Sequence, residues 1–291
     1  MKCFFHFILL LLVSLGLGAC RGQNDAADNQ VLRIGVQPFQ EQKDFYALYL
    51  PLLHYLEQEL ELAVEWVPLN DYQDQLDKFH DQKIDLTLFG GYAFVQAYER
   101  DGADPLVMRD VDFQFRSVFI VAADSLVNSI SELQGQVFSF GSKLSTSGHL
   151  MPRFFLSTQG IIPESFFAKV RYSGKHDVTI KWVADGTVQA GVVNAHILEK
   201  LLNNKFVQRT QIKIIWETPP YPDYVWVARK ELPEALKQEI IEAFIKLTLE
   251  NRQQRKLLEI VGAHHYFPAK LADFQVIRKI AKQLAGNLRE Q

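Results

Sequence analysis

Short apolar segments alternate with amphipathic ones along most of the chain. The strand patterns lie at 31–36, 63–67, 84–89, 116–122, 137–140, 169–172, 190–193 and 212–216. The helix patterns between them lie at 45–60, 71–80, 92–98, 176–185 and 195–203. Alternation of this kind predicts an α/β fold with a largely parallel sheet. In such sheets ligands bind beyond the carboxyl ends of the strands, where helices begin.

Prolines mark three places where this pattern changes. Pro51 lies inside the first helix pattern, so either the regular helix begins there or the helix is kinked. The segment 218–222 (Thr-Pro-Pro-Tyr-Pro) breaks the pattern and indicates that the chain crosses between two parts of the fold. From Leu232 onward the spacing predicts helices alone, with Pro233 at the start of the first one.

The N-terminal residues have the order of a targeting signal. Lys2 precedes an apolar stretch, and small residues then end at Cys20. This order resembles a bacterial lipobox, which predicts a signal peptide over 1–19 and lipid on Cys20. An ordinary secretory signal and an uncleaved anchor are the alternatives. Residues 20–30 are polar and predict a flexible tether.

Cysteine content and charge narrow the function further. The chain has two cysteines, Cys3 and Cys20, so cleavage after residue 19 leaves no pair for a disulfide. The net charge is −3 at pH 7, and no run of basic residues occurs. Nucleic acid is therefore not expected as a partner. Binding of an anion would need a local site.

Three successive hydroxyl residues stand where such a local site is expected. Ser145, Thr146 and Ser147 follow an apolar strand pattern and a turn at Gly141, and a helix pattern starts behind them. Free backbone N–H groups and the positive end of a helix dipole converge at such a turn. The hydroxyls add donors without positive charge, which suits a small oxyanion. Simple capping of the helix is the alternative.

Signatures of catalysis are mostly absent from the sequence. No Gly-x-Ser-x-Gly elbow, phosphate-binding Gly-rich loop or Cys/His metal cluster occurs. Ser147, His149, His176 and Asp177 contain the residue types of a hydrolytic triad, but any chain of this length holds such a combination by chance. We therefore predict no catalytic residue, no metal and no cofactor.

Several segments in the same order resemble the phosphonate-binding proteins of ABC importers, the PhnD-like family. The similarity extends over roughly 31–268, nearly the whole chain behind the tether. The segments are Gly90-Gly91-Tyr92-Ala93, Val121 to Ser125 with Leu133-Gln134-Gly135, Phe140-Gly141 with Ser145 to His149, Arg171 to Asp177, and Trp216 to Pro222.

This resemblance implies a type II periplasmic-binding-protein fold. Two α/β lobes would be joined by two crossover strands, with the ligand cleft between them. The first lobe would consist of 31–117 and 224–291, and the second of 118–223. The crossings are expected near 117–121 and 218–226.

The resemblance also implies a set of ligand-binding residues. Ser145, Thr146 and Ser147 would hold the phosphono oxygens, and the other members of the set are Tyr46, Tyr92, His176 and Asp223. Ordinary packing of Tyr92, a helix-start role for His176 and a plain surface position for Tyr46 are the alternatives. Relatives that bind an amine would have a second carboxylate after the strand at 190–193. Here that block reads Asn194-Ala195-His196, which leaves phosphite, phosphate and simple alkylphosphonates open.

The expected function follows from the resemblance and the signal together. The protein would be a monomeric, lipid-anchored component of an ABC importer on the periplasmic side of a bacterial membrane. It would capture the oxyanion and deliver it to the permease without covalent chemistry. A sensory module for a membrane receptor kinase and, less favoured, a periplasmic serine hydrolase or phosphatase are the alternatives.

Overall fold

Two separate β-sheets organise the computed structural model, which describes residues 31–39 and 45–287. The strands are β1 (Val31–Val36), β2 (Ala63–Trp66), β3 (Leu86–Phe89), β4 (Asp104–Arg109), β5 (Ser117–Ala122), β6 (Val137–Phe140), β7 (Lys169–Tyr172), β8 (Ala190–Asn194), β9 (Ile212–Glu217), β10 (Val225–Ala228) and β11 (Tyr266–Pro268). The first sheet has six strands in the order β11-β4-β10-β3-β1-β2, and the second has five in the order β7-β6-β8-β5-β9.

Helices cover both sheets. They are α1 (Phe45–Leu60), α2 (Tyr72–His80), α3 (Gly91–Asp101), α4 (Met151–Thr158), α5 (Pro163–Phe166), α6 (His176–Ala184), α7 (Ala195–Asn203), α8 (Glu234–Ile245), α9 (Arg252–Val261) and α10 (Gln275–Asn287). We call the six-stranded sheet with α1–α3 and α8–α10 the first lobe, and the five-stranded sheet with α4–α7 the second lobe. None of the helices that the structure describes is both long and apolar enough to cross a membrane.

Both sheets are mixed, so the prediction of a largely parallel sheet is wrong in this respect. In the first lobe β10 runs antiparallel to β3 and β4, and β11 runs antiparallel to β4. In the second lobe β5 runs antiparallel to β8 and β9. The antiparallel strands β5 and β10 each follow a connection between the lobes. Alternation of strand and helix patterns does not show the direction from which such a strand enters its sheet.

Two strands, β4 and β11, were also not predicted from the sequence pattern. The expectation that only helices follow Leu232 is wrong, because β11 lies between α9 and α10 and pairs with β4 through Tyr266 and Arg109. β4 itself was not predicted. The helix α1 begins at Phe45, so the alternative that it begins at Pro51 is also wrong. β11 has only three residues, and a hydrophobic period cannot be recognised over so short a segment.

The two connections between the lobes lie side by side. Phe115 and Tyr221 form an isolated antiparallel bridge, and the amide of Ser117 donates to Thr218 Oγ1 at 3.0 Å. β5 lies within the second sheet over its whole length. The first crossing therefore lies just before Ser117 and not within 117–121. The expected signal peptide, Cys20 and the tether lie outside the described residues.

Candidate functional site

The predicted hydroxyl turn follows β6 and opens a short π-helical turn, Thr146–Leu150. Ser145 caps this turn, because its Oγ accepts a hydrogen bond from the amide of Gly148 at 2.9 Å. The alternative of simple capping therefore describes Ser145. Ser145, Thr146 and Ser147 are all buried, with exposed fractions of 3%, 1% and 1%.

Thr146 joins the turn to the other lobe. Its Oγ1 accepts a hydrogen bond of 2.9 Å from the amide of Tyr92, in the first turn of α3. Ser147 differs from both neighbours, because its Oγ is buried and has no hydrogen-bond partner among the described residues. Of the three hydroxyls, that of Ser147 is the one left to bind something else.

Gly90 marks the point where residues from both lobes converge. Its amide donates to Gln37 Oε1 at 2.8 Å. A Cβ atom placed on Gly90 would lie 2.9 Å from Gln37 Nε2, 3.2 Å from Asp223 Oδ1 and 3.3 Å from Thr146 Oγ1. Any larger residue would push these groups apart, so the Gly-Gly turn before α3 lets the polar groups meet.

Asp223 brings a carboxylate to this point, at the end of the second connection between the lobes. Its Oδ1 accepts a hydrogen bond of 2.9 Å from the amide of Gly91, and the side chain is 1% exposed. Burial raises the pKa of Asp223 to about 7, although the Thr146 hydroxyl and the Gly91 amide act in the opposite direction. Near neutral pH this carboxyl therefore stands close to half protonation.

His176 starts α6 and points its ring into the same buried region. Its amide donates to the carbonyl of Phe39 in the first lobe at 3.1 Å, and the amide of Asn194 approaches its Nδ1 at 3.4 Å. Burial lowers the pKa of His176 to about 3, so the ring is neutral. Because Nδ1 faces a donor, the proton is on Nε2. That N–H is buried and has no hydrogen-bond partner within the described chain.

Asn194 is a site residue that the sequence analysis treated only as a missing acid. It is 0% exposed and caps α7, with Oδ1 accepting from the amide of Ile197 at 3.1 Å. Its Nδ2 is a further buried donor without a partner among the residues described. An Asn before a helix pattern signals a cap, which hides this second use of the amide.

Two more residues of the first lobe approach the turn without having been predicted. Gln37 follows β1, and Tyr72 opens α2 with its hydroxyl buried close to Gln37 and Ser145. Burial raises the pKa of Tyr72 despite these neighbours. In the sequence, Tyr72 was the first apolar position of a polar helix, and nothing indicated that its hydroxyl faces the turn.

The predicted tyrosines occupy different environments. Tyr92 is half buried, and burial raises the pKa of its phenol. Tyr46 is 47% exposed, in the first turn of α1, with its ring 5.6 Å from that of Trp66. No contact in the described structure joins Tyr46 to the hydroxyl turn, so the structure does not bring it together with the other predicted residues.

The residue types of the hydrolytic triad do not form one. His149 Nδ1 lies 2.8 Å from the carbonyl of Lys143, and its Nε2 accepts from Arg153 at 3.1 Å. Burial and the charge of Arg153 lower the pKa of His149 to about 4. Within the described residues neither Ser145 Oγ nor Ser147 Oγ makes a hydrogen bond to a histidine.

Sequence comparisons identify the relatives of this chain. The model of the family of ABC transporter phosphonate periplasmic substrate-binding proteins matches residues 34–274. The probable ABC transporter phosphite binding protein PhnD1 of Prochlorococcus marinus is 31% identical over 267 residues, 88% of this chain and 90% of that protein. The phosphonates-binding periplasmic protein of Escherichia coli is 25% identical over 266 residues, 88% of this chain and 78% of the other.

Solved structures agree with these sequence matches. The structure of PhnD1 from Prochlorococcus marinus in complex with methylphosphonate is similar with a TM-score of 0.84 at 30% identity, covering 89% of this chain and 99% of that one. A phosphonate-transporter binding protein from Pseudomonas aeruginosa shares the fold with a TM-score of 0.80 at 21% identity, over 87% and 86% of the two chains. The predicted two-lobe α/β fold is thus confirmed. The chain belongs to the family of periplasmic substrate-binding proteins of phosphonate ABC transporters.

Proposed function

We propose that this protein captures a small phosphorus oxyanion between its lobes and delivers it to the permease of an ABC importer. One observation supports this above the others. Ser147 Oγ, His176 Nε2 and Asn194 Nδ2 are buried polar atoms without a hydrogen-bond partner in the described chain. A buried donor without an acceptor costs about 1–3 kcal/mol. An oxyanion that accepts from these groups would remove that cost.

The charge of the site selects the protonation state of the ligand. The donors are neutral, and Asp223 is a buried ionisable group that accepts a hydrogen bond from the Gly91 amide. One proton has to lie between Asp223 and the oxyanion, since two negative oxygens in contact repel each other. A phosphonate, phosphite or phosphate ion can supply this proton near neutral pH even where Asp223 is ionised, whereas sulfate requires the protonated carboxyl. The site therefore favours phosphorus oxyanions over sulfate.

The ligand class that we propose is phosphite, phosphate or a simple alkylphosphonate. Relatives support the first and the last, because PhnD1 of Prochlorococcus marinus is named as a probable phosphite-binding protein and its structure holds methylphosphonate. A ligand ammonium group would find the amide donor of Asn194 where a second carboxylate would be needed. We therefore expect 2-aminoethylphosphonate to bind more weakly than methylphosphonate.

We further propose that the protein is a monomer held on the periplasmic side of the membrane by lipid on Cys20. The order of the first twenty residues supports this location, in agreement with a family described as periplasmic. Expression of the full chain with labelled palmitate tests the anchor. The wild type should incorporate label and fractionate with membranes. Unchanged labelling of Cys20→Ala would exclude Cys20 as the lipid site.

Thermal unfolding of residues 21–291 against a panel of anions tests the binding function. The panel contains phosphite, phosphate, methylphosphonate, 2-aminoethylphosphonate and sulfate. At about a hundred times the dissociation constant, a ligand should stabilise the fold by about 2.7 kcal/mol, which is a shift of several degrees. A shift with one or more phosphorus oxyanions and none with sulfate is the expected result. No shift with any phosphorus oxyanion would contradict the proposal.

A further inference from the structure

A cavity of about 400 Å³ lies between the lobes beside the candidate site. Phe39, Phe115 and Tyr224 form much of its apolar wall, and Asn194, Arg109 and Lys200 contribute polar groups. None of the seven ligand-binding residues expected from the sequence lines it. The cavity is therefore an extension of the site and not the oxyanion position itself.

The cavity lies next to Asn194, one of the buried donors without a hydrogen-bond partner in the described chain. The carbonyl of Phe39 accepts the hydrogen bond from the His176 amide, and the Asn194 amide faces His176 Nδ1. Tyr224 directly follows Asp223 in the chain. The Nδ2 donor of Asn194 is completely buried and has no partner among the described residues. A ligand held by His176 and Ser147 would thus have this cavity next to it.

Two cationic side chains, Arg109 and Lys200, line the described part of the cavity, and they differ in their partners. Arg109 is neutralised by Asp112, which accepts two hydrogen bonds of 2.8 and 2.5 Å from its guanidinium group. Lys200 on α7 is half buried, and its ammonium group makes no hydrogen bond or ion pair with any residue that the structure describes. Burial and the charge of Arg109 lower the pKa of Lys200. Among the residues described, Lys200 therefore has surroundings that disfavour its charged form and no counter-charge.

The remaining ionisable groups of the cavity do not supply that counter-charge. Glu199 is bound to Arg209 at 2.7 Å. Glu259 on α9 is exposed at the outer end, outside ion-pair distance of Lys200. The ring of His196 packs 5.0 Å from that of Phe115, and burial lowers its pKa. A negative group that enters the cavity would therefore find in Lys200 a cation without a counter-charge among the described residues.

We propose that the cavity is a subsite for the organic arm of a phosphonate, and that this arm ends in a carboxylate that pairs with Lys200. The inference rests on the proposed function and extends its ligand class from simple alkylphosphonates to carboxyalkylphosphonates. Lys200 lies six residues after the cap Asn194, which is about 9 Å along the helix. Lysine side chains on a helix point back toward its N-terminus, so an arm of about two or three carbons reaches the ammonium group.

Calorimetric titration with matched ligands tests the subsite. Ethylphosphonate and 3-phosphonopropionate share the phosphono group and differ in the carboxylate at the end of the arm. In the wild type, 3-phosphonopropionate should bind about tenfold more tightly, because a charged partner in a half-buried site adds on the order of one tenfold step. Lys200→Gln should bring the ratio of the two affinities close to one, and Lys200→Arg should retain it.

The controls distinguish a failure of the proposed subsite from a failure of the proposed oxyanion-binding function. Lys181→Gln removes an exposed lysine of the same lobe, on α6, and should leave the wild-type ratio unchanged. If ethylphosphonate binds as tightly as 3-phosphonopropionate to the wild type, the subsite is wrong and the oxyanion site stands. An equal loss for both ligands in Lys200→Gln would instead assign Lys200 to lobe closure against Glu259. If neither ligand, methylphosphonate nor phosphite binds, the proposed function itself is wrong.

Discussion

At the scale of the residue, the buried carboxyl of Asp223 should govern the response of the protein to pH. Its pKa is raised to about 7, so the folded state keeps a proton that the unfolded chain has already lost. As pH rises from about 4 to 7, this group therefore takes away stability, up to about 4 kcal/mol in total. Above about pH 7 the loss is complete and the contribution is constant.

Asp223→Asn should remove this dependence, since the amide carries no charge and its oxygen can still accept from Gly91. Urea unfolding of ligand-free wild type and variant at several pH values between about 5 and 8 measures it. The wild type should lose stability relative to Asp223→Asn as pH rises. Parallel profiles for the two proteins would show that Asp223 is ionised in the folded state throughout this range.

The serines of the hydroxyl turn should separate into a structural and a binding residue. Ser145→Ala removes the cap on Gly148 and should cost about 1 kcal/mol of stability. Ser147→Ala removes a buried hydroxyl without a partner in the described chain, so the stability of the ligand-free protein should not fall. The binding free energy of the Ser147→Ala variant for methylphosphonate should become less favourable by about 1–3 kcal/mol. Thermal unfolding and calorimetry on both variants measure the two effects.

The opposite division, with affinity lost at Ser145 alone, would contradict this assignment. The sequence could show that hydroxyls, a histidine and an acid occur in a family-like order. It could not show that the Ser145 hydroxyl caps the turn while the Ser147 hydroxyl has no partner in the described chain. This difference depends on a π-helical turn of five residues. Asn194 and Tyr72 stayed hidden for a related reason. Their side chains reach the site only through the packing of α7 and α2.

At the scale of the element, the contact between α6 and β8 places His176. A Cβ atom on Gly191 in β8 would lie 2.6 Å from Thr179 Cγ2 on α6, closer than such atoms can approach. Gly191→Ala should therefore push α6 away from the sheet. We expect a loss of about 1–3 kcal/mol in stability, together with weaker binding of methylphosphonate as His176 moves.

A second substitution serves as the control for this clash. Thr179→Ser removes the Cγ2 atom and keeps the hydroxyl, which lies 2.5 Å from Ser173 Oγ and donates to the carbonyl of Lys175. Gly191→Ala combined with Thr179→Ser should regain most of the lost stability and affinity in thermal unfolding and calorimetry. If the double variant is as weak as Gly191→Ala alone, the space above Gly191 does not determine the position of α6.

The elements also show where periodicity is sufficient as a predictor. Buried strands such as β3 and β8 and amphipathic helices such as α7 were found close to their observed ends, because one face or the whole segment is apolar. β4 and β11 were missed, since β4 opens with Asp104 and Pro105 and β11 has only three residues. The direction of β5 and β10 depends on the connections between the lobes. It is a property of the topology and not of the local sequence.

At the scale of the whole molecule, the two lobes meet through few polar contacts at the candidate site. The Tyr92 amide donates to Thr146 Oγ1, and the His176 amide donates to the carbonyl of Phe39. The connections at Phe115 and Tyr221 lie close together and allow rotation of one lobe against the other. The two-lobe plan came from the resemblance to a family. The pattern of strands and helices alone predicted one α/β fold.

Thr146→Val should shift the protein toward an open arrangement. Valine keeps the branched shape and removes the oxygen that accepts from Tyr92. In the closed arrangement the Tyr92 amide would then be buried without an acceptor, at a cost of about 1–3 kcal/mol, whereas water satisfies it when the lobes separate. A ligand that binds the closed state must also supply the free energy that closes the lobes. The affinity of Thr146→Val for methylphosphonate should therefore fall by a similar amount.

Small-angle scattering and calorimetry with methylphosphonate measure the two consequences of Thr146→Val. The ligand-free variant should have a larger radius of gyration than the wild type, and saturating ligand should bring the two values together. Thr158→Val, an exposed substitution at the end of α4, should match the wild type in both measurements. Lower affinity with an unchanged radius would mean that Thr146 contacts the oxyanion without controlling closure. An unchanged affinity would remove Thr146 from the site, because its hydroxyl would then serve neither the ligand nor the contact between the lobes.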